Sequence, residues 1–322
     1  MLRTLLCDLL GIEYPIIQAS IGPWSSVELA AAVSNAGGLG SLGTALLSAD
    51  KLRSQLAQIR ELTERPFVVN HTARPFNEEL FALTLAARPP IISFALGDPG
   101  QLVERAHAAG ILFIQQVHSV RQARQAAERG VDVIIAQGGE AGGFGGSIST
   151  MALVPQVIDA VGTIPVVAAG GIADGRGLAA ALILGAQGIN IGTRFLASVE
   201  VTVSDDWKQA IVKAESEDAV KIEFADDVFP PAGPGGYAAL PRVLKTPFVE
   251  EGNRHRDEVK RDADRLRGEL LSAVLGGRGH ELVPFTGQSA GMIRDIAPAG
   301  AIVRRIVAEA ESALRGATKF VA

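Results

Sequence analysis

One cysteine, two tyrosines, two tryptophans and five histidines are all that 322 residues contain of those types, and each scarcity narrows what the chain can be. A lone Cys7 forms no intrachain disulfide, so a disulfide-stapled secreted framework is excluded. The five histidines are scattered, no Cys/His cluster has zinc spacing, and no metal site is expected. Basic blocks are missing too. The net charge of −5, from 30 basic and 35 acidic residues, argues against nucleic-acid or anionic-membrane partners. No apolar run reaches the ~20 residues of a membrane span. The opening MLRTLLCDLLGIEYP is interrupted by Asp8 and Glu13 and has no signal-peptide core with a cleavage site. The expectation is a soluble, cytoplasmic protein acting on a small molecule.

Glycine and aliphatic residues are what the chain has in abundance: 36 glycines, within a composition that is 48% hydrophobic. Short Val/Ile-rich runs that end in glycine recur at intervals of about 25 residues. They lie at 14–20, 39–44, 65–72, 89–96, 110–117, 130–139, 164–171 and 186–193. Apolar side chains on both faces of a strand are what a parallel sheet covered by helices requires. Amphipathic stretches separate most of these runs, Ser25 or Ser26 opening the first and Asp174 capping the one after 164–171. Eight such units predict an α/β fold, a TIM (β/α)8 barrel, with a mainly helical insertion after strand eight. The expected organisation is a barrel over 1–200, an inserted helical lid or substrate subdomain over 201–280, and a closing segment over 281–322. Within the insertion a Pro/Gly turn is read at 228–237 and a solvated charged helix at 254–267. A final helix is read at 288–316.

Barrel active sites lie at the carboxyl ends of the strands. Gly170 and Gly171 end the seventh run, where missing side chains let a ligand approach the main chain and amides at a helix entrance suit a phosphate. Gly192 and Thr193 repeat the device after the eighth run. Loops seven and eight are the usual phosphate pair of such barrels. After the sixth run, AQGGEAGGFGGS (136–147) makes a flexible or tightly wrapped loop on which a flat ring can rest.

Taken together, PIIQASIGPWSSVELAAAVSNAGGLGSLG, RPFVVNHT, QGGEAGGFGG, VVAAGGIADGRG, NIGTRF and TGQSAGMI resemble the nitronate monooxygenase family. That family is similar to flavin-dependent enoyl-acyl-carrier-protein reductases and to NADH:quinone reductases. The resemblance implies FMN held without a covalent bond. It places Ile21 and Gly22 in the first turn beside the cofactor, Asn70 and Thr72 after strand three, and Gln137 and Gly142 in the sixth loop. Ala169, Gly170, Gly171, Asn190, Gly192 and Thr193 then form the phosphate cup. Molecular oxygen is the implied co-substrate, with NAD(P)H as an alternative electron donor; the oligomeric state stays open, a homodimer included.

Two departures from the family pattern bear on mechanism. Phe144 stands where the family carries the histidine that handles the substrate proton, and Gln116 stands where some relatives carry lysine near the flavin. Phenylalanine moves no proton, so the expected substrate is a nitronate, already an anion, rather than a neutral nitroalkane. Among the remaining histidines, His71 is the leading substitute base, although strand alternation can turn it away from Asn70; His118 follows, as a residue of the substrate pocket beside Phe144. The alternative activity is an NAD(P)H-dependent flavin reductase of a quinone or enoyl thioester. The third reading is a non-catalytic flavin-binding barrel.

Overall fold

The computed structural model describes residues 2–24, 26–229 and 239–320. Eleven strands are formed among them: β1 (Ile16–Gln18), β2 (Gly40–Gly43), β3 (Phe67–Thr72), β4 (Ile91–Ala95), β5 (Leu112–Val117), β6 (Val133–Gln137), β7 (Gly143–Gly145), β8 (Val166–Ala169), β9 (Gly188–Ile191), β10 (Ala219–Lys221) and β11 (Leu240–Leu244). Eight of them form one parallel sheet in the order β1-β9-β8-β6-β5-β4-β3-β2, so β8 and β9 are the seventh and eighth barrel strands.

The sheet closes where β1 meets β2. Leu39 donates its N–H to the Ile16 carbonyl and Gln18 donates its own to the Leu39 carbonyl, both at 2.9 Å. The fully buried Gln18 side chain continues the seam. Its Oε1 accepts from the Ser41 N–H at 2.8 Å and its Nε2 donates to the Ser41 carbonyl at 3.2 Å. A side-chain amide thus does the work of a missing main-chain rung, leaving no open edge.

Inside the barrel, Ile17, Leu39, Val68, Ile91, Ile114 and Val133 pack together, and the helix Leu5–Leu10 plugs the amino-terminal end with Leu6, Cys7 and Leu10. Cys7 is therefore a small core residue. Outside, helices cover the wall, with Ser26, Ser48, Asn77 and Ser119 each accepting a backbone N–H at a helix start. Asp174 caps the helix Gly175–Ile183 as the sequence predicts. Ser25 lies outside the described residues.

After β9 the chain leaves the barrel and builds an insertion with a core of its own, including Ile222, Phe224, Val228, Val243, Val249 and Leu270. Helices dominate it, but two of its segments are strands. β10 pairs with β11, and β11 pairs with β7 from the sixth barrel loop, all antiparallel. The reading of the glycine-rich loop as mere wrapping is thereby corrected: Gly143–Gly145 is a strand that ties insertion to barrel. The turn read at 228–237 lies outside the described residues from position 230 onward. The last helix also differs from the reading, because it runs Ala299–Ala317 with Pro298 at its N-cap, while 288–292 forms a 3-10 turn.

The closing helix packs on the seventh-unit helix through a glycine. A β-carbon on Gly175 would lie 2.3 Å from the Ala310 nitrogen and 2.5 Å from the Ile306 carbonyl oxygen, both backbone atoms unable to yield locally. Gly175→Ala is expected to cost about 1–3 kcal/mol by forcing these helices apart. Urea denaturation checks it; an unchanged midpoint would contradict this packing.

Candidate active site

At the carboxyl ends of the strands lies a cavity of about 570 Å³, within the range of small-molecule and cofactor sites. The barrel supplies its floor and the insertion its roof, through Val228, Phe229, Leu270, Leu271 and Val274.

Strand alternation decides which residues face it. On β3, Asn70 and Thr72 line the cavity and His71, between them, faces the opposite way. Asn70 Nδ2 donates to Ser93 Oγ at 2.9 Å, and Thr72 Oγ1 donates to the Pro75 carbonyl at 3.2 Å. His71 is buried in the wall, Nδ1 3.2 Å from Thr44 Oγ1 and Nε2 3.0 Å from Thr84 Oγ1, against the edge of Phe81. Burial pushes its imidazole down to about 4. The structure thus corrects the expectation for His71, which is a neutral structural residue outside the cavity.

Gln116 and Gln137, at the ends of β5 and β6, line the cavity, whereas His118 stands behind them. His118 Nε2 lies 3.3 Å from Gln137 Oε1 and 3.4 Å from Gln116 Nε2, and Gln137 Nε2 donates to the Phe144 carbonyl at 3.4 Å. Burial lowers the His118 pKa and so favours the neutral ring, against the Gln137 hydrogen bond, which raises it. In the tautomer with its proton on Nε2 it orients the Gln137 amide, and it does not itself line the cavity as the sequence reading expected.

The remaining expected residues converge. Ile21 and Gly22 of the first turn, Gly142 and Phe144 of the sixth, and Ala169, Gly170 and Gly171 of the seventh line the same space. Asn190, Gly192 and Thr193 line it from the eighth. Gly170 and Gly171 have φ of 99° and 71°, left-handed values that favour glycine. One detail differs from the sequence reading. Asp174 Oδ1 accepts from the Arg176 and Gly177 amides at 3.0 and 3.2 Å, so its carboxylate occupies the helix entrance and the glycine turn before it is what lines the cavity.

Sequence reasoning missed what holds the sixth loop in place. The Glu140 carboxylate accepts from the Thr150 N–H at 2.9 Å and from Thr150 Oγ1 at 3.0 Å. Thr150 Oγ1 also lies 2.9 Å from the Gly170 carbonyl, linking loops six and seven. From the insertion, Lys221 Nζ donates to the carbonyls of Gly145 (3.1 Å) and Gly146 (3.3 Å), and Arg242 Nη2 donates to that of Gly139 (2.9 Å). Desolvation, then the nearby Arg242 charge, lowers Lys221 to about 8. Glu140 was visible as the charged residue of a glycine run; Lys221 and Arg242 carried no local signal.

A (β/α)8 barrel with a roofed cavity at its strand carboxyl ends has the architecture of a barrel enzyme. The nitronate monooxygenase family model matches residues 3–78 and 71–309, and the chain belongs to that family. It is 37% identical over 298 residues to (3aS,4S,5R,7aS)-5-hydroxy-7a-methyl-1-oxo-octahydro-1H-indene-4-carboxyl-CoA dehydrogenase of Mycobacterium tuberculosis, covering 91% of this chain and 78% of that protein. Among solved structures, FabK from Thermotoga maritima aligns with a TM-score of 0.91 at 36% identity over 100% of both chains. Nitroalkane oxidase from Streptomyces ansochromogenes aligns at 0.81 and 29% identity, covering 97% of this chain and 99% of that one. The protein is a flavin-dependent oxidoreductase of this family, which sets aside the non-catalytic barrel.

A buried neutral His71 has a consequence for stability. Its folded pKa of about 4 lies below the ordinary 6.5, so between those values the unfolded chain binds more protons and stability falls as the pH falls. The loss reaches up to about 3 kcal/mol for this group. Denaturation across about pH 4–7 should show it, and His71→Gln should remove most of that slope. An unaltered slope in the variant would place the acid sensitivity elsewhere.

Proposed function

We propose that this protein binds FMN at the carboxyl end of its barrel and oxidises alkyl nitronates with molecular oxygen. The observation that carries the reading is what lines the cavity. Among the described residues its wall holds no carboxylate, imidazole, thiol, phenol or amine, and its ionisable side chains are Arg74 and Arg267. Arginine keeps its charge at any working pH and serves poorly as a base. A neutral nitroalkane must lose a carbon-bound proton, which calls for such a base; a nitronate has already lost it.

The residues present fit FMN. Two consecutive left-handed glycines, Gly170 and Gly171, form a turn in which a β-carbon would approach Thr150 Oγ1 to 3.0 Å and Glu140 Cβ to 3.4 Å. Gly192 and Thr193 adjoin it on the next strand, and an anionic phosphate suits such backbone concavities. When bound, FMN supplies the redox chemistry, taking electrons from the substrate and passing them to oxygen. Asn70 keeps Oδ1 for a ring donor because its Nδ2 is engaged by Ser93. Gln137 is fixed by His118, and Gln116 brings a neutral amide where an ammonium would hold reduced, anionic flavin more strongly. Phe144, Phe229 and Phe285 form an apolar wall, ring centroids 5.5–6.2 Å apart, that excludes water from the reacting face.

A second reading is the one the sequence resemblance implies beside the first, NAD(P)H as donor and an apolar acceptor, a quinone or an enoyl thioester, and the full-length likeness to FabK keeps a reductase in view. Hydride transfer to a flavin needs no enzymic base either. An enoyl acceptor also needs an acid for its second carbon, which the described cavity residues do not offer.

Gly171→Val adds a branched side chain at a left-handed position facing Glu140, and is expected to abolish FMN retention while leaving helical content intact. Normal flavin content in the purified variant would refute the cradle.

Anaerobic titration of the flavin-loaded protein tests the activity. Propyl-1-nitronate should bleach the visible flavin band, air should restore it, and the rate should vary less than about threefold from about pH 6 to 9, since the described cavity residues include no group that titrates there. Bleaching by NADH or NADPH but not by nitronate would replace this reading with the second.

A further inference from the structure

Arg74 is the cation of the cavity that the fold leaves unmatched. It lines the wall just beyond β3. Its Nη1 is shut off from solvent and has no hydrogen-bond partner among the described residues. Arg267 also reaches the cavity and its Nε likewise lacks a partner among the described residues, but its two terminal nitrogens are committed: Nη1 meets Asp264 Oδ1 and Nη2 donates to the Asp227 carbonyl, both at 2.8 Å, which fixes the roof. No acidic side chain lines the cavity among the described residues, so nothing there neutralises Arg74.

The turn that presents Arg74 is firmly held. Ala73 donates its N–H to the Ala95 carbonyl at 2.9 Å, Thr72 Oγ1 bonds the Pro75 carbonyl, and Phe76 packs on Phe81 and Phe94 at 5.9 and 6.2 Å. A guanidinium nitrogen shut off from solvent without a partner is costly to fold, and a rigid mounting holds it there although the residue as a whole is half-buried. Its position completes the pattern. Between β8, which carries the glycine cradle, and β3 lie β6, β5 and β4 one way round and β9, β1 and β2 the other. The two anion-seeking features therefore face each other across the barrel mouth, with the apolar side chains of Phe94, Leu96, Phe229 and Leu271 contributing to the wall between floor and roof.

We propose that Arg74 is the substrate-anion residue: it binds a planar two-oxygen anion, a nitronate or a carboxylate, carried on an apolar body. The planar fork of a guanidinium matches such a group bidentately, and the apolar walls select what it is attached to. The inference deepens the proposed reading, since a nitronate is such an anion, but its test does not depend on turnover.

Benzoate and its neutral counterpart benzamide serve as probes on the FMN-loaded protein. Binding is followed by tryptophan emission, Trp24 being part of the cavity wall, and by the flavin spectrum. Arg74→Gln should weaken benzoate about 10- to 100-fold, leave benzamide within about twofold and retain flavin, with Arg74→Lys intermediate. Propyl-1-nitronate as a competitor of benzoate should lose affinity in parallel. Unchanged benzoate affinity overturns the proposal, as does equal weakening of benzamide, which would mark a packing role. Loss confined to inorganic phosphate or NADPH overturns it too, assigning the guanidinium to a donor's phosphate. If nitronate fails to reduce the flavin yet benzoate discrimination still requires Arg74, the proposed activity falls and the anion site stands.

Discussion

The carbonyl oxygens of one glycine-rich loop carry the assembly of this site. Residues 138–147 contain few side chains, so their main chain must find partners outside the loop or stay unsatisfied under the roof. Lys221 and Arg242 collect the carbonyls of Gly139, Gly145 and Gly146, and the Gln288 amide takes that of Glu140 at 2.9 Å. Gly142 lies hard against the returning segment: a β-carbon there would fall 2.6 Å from the Gly287 nitrogen. Gly287 in turn donates to Thr193 Oγ1 at 2.9 Å, so loops six and eight and the segment returning from the insertion are locked to one another. Removing this set of contacts would free the roof and leave an open-topped barrel.

The arrangement places two cations in partly desolvated positions. Burial pulls Lys221 down to about 8 and lowers Arg242 as well, which means the fold works against both charges. The compensation is that charge-assisted donors to carbonyls are stronger than neutral ones, and Glu140 offsets part of the local positive field. By linkage, the Lys221 contribution makes folding more favourable as the pH rises from about 8 toward the ordinary lysine value of 10.5, since the unfolded chain there binds the extra proton. Working near neutral pH keeps the ammonium and its three donors.

How much of this could be read from residues alone follows from how local each signal is. The eight barrel strands were legible because a strand covered on both faces must be apolar along its length, as in PFVVN or PPIISFA, and each ends in a turn marker. The left-handed glycine turn was legible because Gly170-Gly171 closes such a run. β7, β10 and β11 were not: none is a Val/Ile run closed by a glycine turn, β11 contains Pro241, and Gly143–Gly145 pairs with residues about a hundred positions later. Apolar spacing continues through 288–293 and reads as helix, whereas the helix begins only at Ala299, behind Pro298. His71 misled because it neighbours Asn70, and one residue along a strand is the opposite face. Arg74, Lys221 and Arg242 are single cations whose importance comes from burial, a property of the closed fold.

Phe144 joins the loop's architecture to its chemistry. It sits on β7, paired with Pro241 of β11, and its ring meets Phe229 edge-on at 5.5 Å and Phe285 at 6.2 Å. An imidazole at this position would place two ring nitrogens in an apolar cluster and need a partner there. Phenylalanine instead gives the insertion an aromatic anchor at the point where it docks on the barrel. Phenylalanine, where the family resemblance leads one to expect histidine, therefore anchors the roof, and the cavity is lined in part by aromatic rings and is free of titrating groups among its described residues. On the proposed reading, such a space takes substrates that bring their own charge and need only to surrender electrons. Its discrimination then rests on where that charge is received rather than on any acid–base chemistry of the wall.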